Sequence, residues 1–151
     1  MRKFEVVKPE FRKFKDEEII LPKRATKNAA GYDFYSPTEC TIMPNEVKLI
    51  WTDVKATFGE REMLLLMVTS GMGKRGIMLA NNIGLIESDY YNNPSNDGNL
   101  GFMLYNYGKE PYVIKVGDKI GQGVFSCFLT VDGEADVTSE RKGGFGSTNK
   151  K

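Results

Sequence analysis

The chain contains no histidine among its 151 residues. That gap removes serine–histidine and cysteine–histidine catalysis and every histidine-ligated zinc site. Cysteine is nearly as scarce. Cys40 and Cys127 fall in strand-like stretches and read as two thiols of a reducing compartment rather than a disulfide scaffold. No apolar run is long enough to cross a bilayer, and the opening MRKFEVVKPEF lacks the apolar centre of a secretory signal. The sequence therefore predicts a cytoplasmic protein with no membrane partner. A strong net charge is also missing: 21 basic against 20 acidic residues leave +1, which argues against a nucleic-acid-binding face. Any catalysis must fall to carboxylates, amides, backbone groups, arginine and a phosphate-bound metal.

What charge there is lies unevenly. Residues 1–27 carry nine basic and five acidic residues, and residues 141–151 carry Arg141, Lys142, Lys150 and Lys151 with no acid. The length suits one domain with a substantial core. Short apolar or alternating runs recur at 3–7, 40–43, 46–54, 62–70, 100–107, 112–116 and 119–131, separated by Gly, Pro, Asn and Asp. Many short strands at this spacing predict an all-β sandwich, barrel or jelly roll, with at most one short helix near GMGKRG (71–76). The glycine-rich end, KGGFGSTNKK, is expected to be a mobile tail.

Four stretches could carry chemistry. GMGK (71–74) fails as a P-loop, because Val68 stands where the motif needs glycine and Arg75 where it needs Ser or Thr. Ser70 and Gly71 could still offer a hydroxyl and backbone N–H groups to an anion, or simply end a strand. GGFGST (143–148) is either a loose terminus or a backbone that approaches phosphate closely while Phe145 stacks on a base. MLANNIGLIESDYY (78–91) can turn Asn81 toward a planar polar ligand, with Ile86 and Tyr90 as apolar walls and Glu87 beside them. Asn81 in a hairpin turn and a half-buried tyrosine explain the same letters without a ligand. GLIESDYYNNP (84–94) likewise closes a buried strand or presents a carboxylate that takes a proton.

In order along the chain, these pieces resemble the trimeric dUTPase family. LPKRATKNAAGYDFYS (21–36) is similar to its first motif, VTSGMG (68–73) to its second, NNIGLIESDYY (81–91) to its third, GDKIGQGVF (117–125) to its fourth and RKGGFGST (141–148) to its fifth. The resemblance implies a jelly-roll-like β-barrel over residues 1–140 and a flexible arm over 141–151. It also implies a homotrimer whose active sites are shared between subunits. The implied reaction is magnesium-assisted hydrolysis of dUTP to dUMP and pyrophosphate, the metal being held by triphosphate and water with no direct protein ligand. In the implied site Glu87 is the general base and Asp33 an acid that organises it. Ser70, Gly71 and Gln122 lie on phosphate oxygens, with Thr69 beside them among the substrate-binding residues. Asn81 and Gly101 read the uracil edge, while Ile86 and Tyr90 pack on the deoxyribose, where a 2′-hydroxyl would clash, and Gly84 and Leu85 also bind substrate. Arg141 meets the γ-phosphate, Phe145 covers uracil, and Gly146, Ser147 and Thr148 wrap the phosphates.

The match departs from the family at five places. Glu87 replaces the usual aspartate, and its extra methylene moves the carboxylate by about one C–C bond length, enough to slow a positioned reaction. Thr69 replaces an arginine and loses its charge and fork of donors. Arg141 lies one residue closer to GGFG than is common. Lys119 and Gly121 replace Arg and Ala around Gln122, which reads as mild. YNNPSND (91–97) lengthens the turn after the tyrosine. An alternative follows, a catalytically weakened protein of the same fold that regulates by binding a nucleotide or an unknown protein partner. The related dCTP deaminase branch is excluded, because Met103 and Leu104 stand where it needs a catalytic glutamate.

Overall fold

A computed structural model of the chain describes residues 1–146. It is almost entirely β. In chain order the strands are β1 (Lys3–Val6), β2 (Lys23–Arg24), β3 (Tyr32–Tyr35), β4 (Cys40–Ile42), β5 (Val47–Trp51) and β6 (Val54–Thr57). They continue as β7 (Glu62–Met67), β8 (Ile77–Leu79), β9 (Gly84–Glu87), β10 (Gly101–Asn106), β11 (Tyr112–Ile114) and β12 (Lys119–Cys127). One short helix, α1 (Ser70–Lys74), follows β7. All pairings are antiparallel and fall into four sheets: β2-β3-β12-β7-β9, β5-β10-β8, β11-β4 and β1-β6. No helix among the described residues is long and apolar enough to cross a membrane.

Alternation builds the core, since successive strand residues point to opposite faces. Leu64 and Leu66 of β7 and Phe102 and Leu104 of β10 point inward and are fully buried, while their neighbours Leu65 and Met103 face the other way. Phe34, Ile77, Ile114 and Ile120 join them. Each such side chain contributes about 1.5–3 kcal/mol by leaving water.

Three expected elements change shape, each for a local reason. The run 46–54 is two strands, because Asp53 breaks it. Asp53 is fully buried at φ 56° and accepts hydrogen bonds from the Lys13 and Phe14 amides at 2.9 Å and from Asn99 Nδ2 at 2.8 Å. A carboxylate so engaged fixes the chain in a left-handed turn that a strand cannot hold. The run 62–70 ends at Met67, because the Thr69 side chain accepts from the Met72 amide and caps α1. The run 119–131 stops at Cys127.

Gly121 is less tolerant of change than its place in the sequence suggests. A Cβ there would lie 2.1 Å from Phe102 Cε1 and 2.9 Å from the Met67 carbonyl oxygen. The glycine is what lets Phe102 pack flat on β12, so the replacement read as mild is a packing requirement.

Candidate functional site

The turn between β8 and β9 does not close a hairpin. β8 pairs with β10 and β9 pairs with β7, so Asn81 sits where the chain crosses from one sheet to another. This crossing opens a cavity of about 170 Å³ lined by Leu66, Asn81, Gly84, Leu85, Ile86, Glu87, Tyr90, Gly101, Met103, Arg141, Gly144 and Phe145. Gly84 is needed for closure, since a Cβ would stand 2.9 Å from Leu66 Cβ. Every residue of the third-motif set named from the sequence lines this cavity, together with Gly101, Arg141 and Phe145.

Glu87 ends β9 at the rim, its side chain 43% exposed. Beyond it a 3-10 turn (Ser88–Tyr90) drops Tyr90 into the interior at 6% exposure. Its phenol donates to the Asn99 carbonyl at 2.9 Å and accepts from Asn96 Nδ2 at 2.6 Å. Burial pushes the Tyr90 hydroxyl pKa up, although the Asn96 hydrogen bond opposes it, so the phenol stays protonated at neutral pH.

The basic tail does not trail away from the barrel as far as it is described. Arg141 donates through Nε to Asp89 at 2.6 Å and places Nη2 3.0 Å from the Glu87 carboxylate. Burial works against its charge, but the Asp89 hydrogen bond and the two carboxylates outweigh it and hold its pKa above the usual arginine value. Gly144 lies on the Tyr90 ring, where a Cβ would approach Cε2 to 2.7 Å. Phe145 meets Trp51 edge-on, with ring centroids 5.4 Å apart. Gly146 follows at φ 88°, while Ser147 and Thr148 lie outside the described residues.

The remaining candidates gather elsewhere. Asp33, Thr69, Ser70 and Gln122 line an open cleft of about 500 Å³ with Ala25, Gly31, Met67 and Lys119. Gly71 follows Ser70 in the first turn of α1. Gly31 lets the Gln122 side chain cross it, since a Cβ would come 2.4 Å from Oε1. Asp33 is 8% exposed and pairs with Lys119 at 2.6 Å, which raises the lysine pKa. Thr69, where an arginine was expected, is engaged as the cap of α1.

The cavity and the cleft share no residue. The nucleoside-type and phosphate-type candidates therefore gather at two separate places, although the strand registers put Glu87, opposite Met63, on the same sheet face as Gln122, opposite Met67.

Three lining residues were not among the candidates named from the sequence, although Gly144 lies within the fifth motif. Met103 follows Gly101 by two on β10, so strand period alone would have placed it beside that glycine. Leu66 sits opposite Gly84 in the β7–β9 register, and Gly144 adjoins Phe145.

The known proteins this chain resembles agree with one another. Residues 17–149 match the family model described as dUTPase. The deoxyuridine 5'-triphosphate nucleotidohydrolase of Lactococcus lactis subsp. lactis is 42% identical over 150 residues, spanning 98% of this chain and 97% of that protein. The protein of that name from Shewanella amazonensis is 38% identical over 138 residues, or 85% and 86% of the two chains. A crystal structure of dUTPase from Streptococcus mutans superposes with a TM-score of 0.74 at 37% identity, covering 86% of this chain and 98% of that one. A mutant dUTPase from Staphylococcus aureus phage phi11, reported to coordinate a structural Mg(II) ion, shares the fold with a TM-score of 0.69. That chain is 22% identical, over 92% of this chain and 97% of its own length.

Proposed function

The chain belongs to the dUTPase family, and we propose that Glu87 is the general base with which it hydrolyses dUTP to dUMP and pyrophosphate. The observation that carries this reading is the convergence of Asn81, Glu87, Tyr90 and Gly101 on one cavity, with Glu87 the only carboxylate among the described residues that line it. Asn81 and the Gly101 backbone take the uracil edge. Ile86 and Tyr90 take the deoxyribose, and Phe145 covers the base. Glu87 at the rim accepts a proton from a water as that water's oxygen bonds to the α-phosphorus. The bridging P–O bond breaks, and pyrophosphate leaves. The chain's part in such a reaction is positioning and charge neutralisation, plus that one proton. The named relatives are nucleotidohydrolases, so a weakened, purely regulatory protein is the less favoured reading.

The residues fit a magnesium ion delivered with the nucleotide. Arg141 already matches Glu87 and Asp89, and Lys119 matches Asp33. No group of three His, Cys, Asp or Glu side chains able to hold a metal occurs among the described residues. A hard cation can take its oxygens from phosphates and water instead, and bound there it supplies neutralisation of the triphosphate charge.

The site is completed by assembly. Ser70 and Gln122 line a cleft that shares no residue with their own chain's nucleoside cavity, and we assign the phosphates of a nucleotide bound there to the cleft of another copy. We read this as a homotrimer with shared sites, closed by an arm of residues 141–151 whose Gly146, Ser147 and Thr148 wrap the phosphates. Two free cysteines, Cys40 and Cys127, suit a reducing cytoplasm.

The test is pyrophosphate release from dUTP, dCTP, dTTP and UTP by the parent and Glu87→Gln. The variant should lose about 10²- to 10⁴-fold in rate with nucleotide affinity kept. An unchanged rate would remove Glu87 from the role.

A further inference from the structure

Tyr90 is held from behind by the loop that follows it. Tyr90 Oη has two partners, the Asn99 carbonyl at 2.9 Å and Asn96 Nδ2 at 2.6 Å. The orientation of the Asn96 amide is not free. Its Oδ1 accepts from the Gly98 amide at 3.1 Å and from Asn93 Nδ2 at 2.7 Å, so its NH₂ must point at the phenol. Asn93 is buried, donates also to the Tyr90 carbonyl at 2.8 Å, and accepts through Oδ1 from Ser95 Oγ and the Ser95 and Asn96 amides.

This network stands on a fixed base. Asp97, 1% exposed, accepts from Lys55 Nζ and from the Lys8 amide, both at 2.8 Å. Lys55 also lies 4.8 Å from the Tyr91 ring centre. Asp97 and Gly98 both adopt positive φ, and a Cβ on Gly98 would come 2.9 Å from the Tyr90 carbonyl oxygen. The loop 92–99 is therefore a brace against the outer end of the tyrosine ring.

We infer that Asn96 is a positioning residue that sets the sugar selectivity of this site by keeping Tyr90 from yielding to a ribose 2′-hydroxyl. The inference rests on the reading of Tyr90 as the deoxyribose wall. An apolar wall rejects an added hydroxyl only as far as it refuses to move. The ring has no covalent stop behind it, and the Asn96 amide supplies one that cannot rotate away without unpairing Gly98.

The experiment compares kcat and KM for dUTP and UTP in the parent, Asn96→Ala, Tyr90→Phe, the double variant and Tyr90→Ala, each checked for folding by thermal melting. Asn96→Ala should keep kcat for dUTP and lower the preference for dUTP over UTP by about tenfold, through a lower KM for UTP. Tyr90→Phe cuts the same bond from its other end, along with the one to the Asn99 carbonyl, and should lower the preference by at least a similar factor, so either variant reads the brace if the other fails to fold. The double variant should be no worse than Tyr90→Phe alone, since that change already removes the interaction Asn96→Ala deletes. Proportional loss for both substrates, with the preference unchanged, would overturn the inference. If Tyr90→Ala erases the preference while Asn96→Ala and Tyr90→Phe do not, Asn96 has no such role and the sugar-wall reading survives. If Tyr90→Ala leaves the preference at the parent value, the sugar-wall reading fails and this inference falls with it.

Discussion

The Arg141 guanidinium lies 3.0 Å from the Glu87 carboxylate, across the mouth of the cavity that Glu87 borders. The cation assigned to the terminal phosphate is thus paired with the proposed base. With Glu87 43% exposed, such a pair contributes about 1 kcal/mol, so a triphosphate can draw Arg141 away and free the carboxylate.

Truncation after Glu140 separates the arm from the barrel. The shortened chain should melt close to the parent temperature, because the strands and the buried core lie within residues 3–127. Turnover should fall by about 100-fold or more, as expected when charge-stabilising donors are removed. Full activity in pyrophosphate release would make the arm a bystander.

Glu87→Asp asks whether the longer side chain is a handicap. The β7–β9 register pairs Glu87 with Met63 and fixes its Cα, so the shorter carboxylate must withdraw from the cavity by about one C–C bond length. Single-turnover rates should drop by about 10- to 100-fold with KM little changed. A faster variant would mean the water sits nearer the backbone than this geometry implies.

Gly121→Ala restores the residue common in the family yet should destabilise this chain. The new methyl would overlap the Phe102 ring and crowd the Met67 carbonyl, a clash of the kind that costs about 1–3 kcal/mol. Denaturant unfolding would read it as a lower midpoint. A companion Phe102→Leu exchange should recover part of the loss.

The Lys55–Asp97 pair makes stability depend on acidity. Burial alone would raise the Asp97 pKa, but the hydrogen bonds from Lys55 and the Lys8 amide outweigh it and hold it below the ordinary value of 3.8. Such a group contributes stability that is complete above its unfolded pKa and lost as pH falls through its folded one. Unfolding free energy should therefore decline below about pH 4, and Asp97→Asn should flatten that decline. Lys55→Met leaves a buried carboxylate unpaired and should cost about 3–5 kcal/mol at neutral pH.

Local pattern carried much of this structure and could not carry the rest. The alternation in β7 and β10 announced strands and their inward faces, and the Asn81–Tyr90 stretch announced one wall of a cavity. The letters of YNNPSNDGN read as a surface turn, since nothing in them shows that Asp97 and Asn99 are buried against Lys55 and Asp53 from far earlier in the chain. The same holds for Asp53, whose charge in an apolar run gives no sign of the amides that receive it. Nor did motif order reveal that Ser70 and Gln122 would line a cleft separate from the cavity that Glu87 borders.

On the proposed sharing of sites, that separation ties catalysis to how crowded the chains are. A copy that drifts free of its neighbours should keep its fold, its proposed base and its proposed sugar wall, yet lack the cleft assigned to the triphosphate. Serial dilution would then extinguish turnover per chain before any strand unfolds. Mixing copies crippled at Glu87 with copies crippled at Ser70 would rebuild some intact sites from two kinds of broken part.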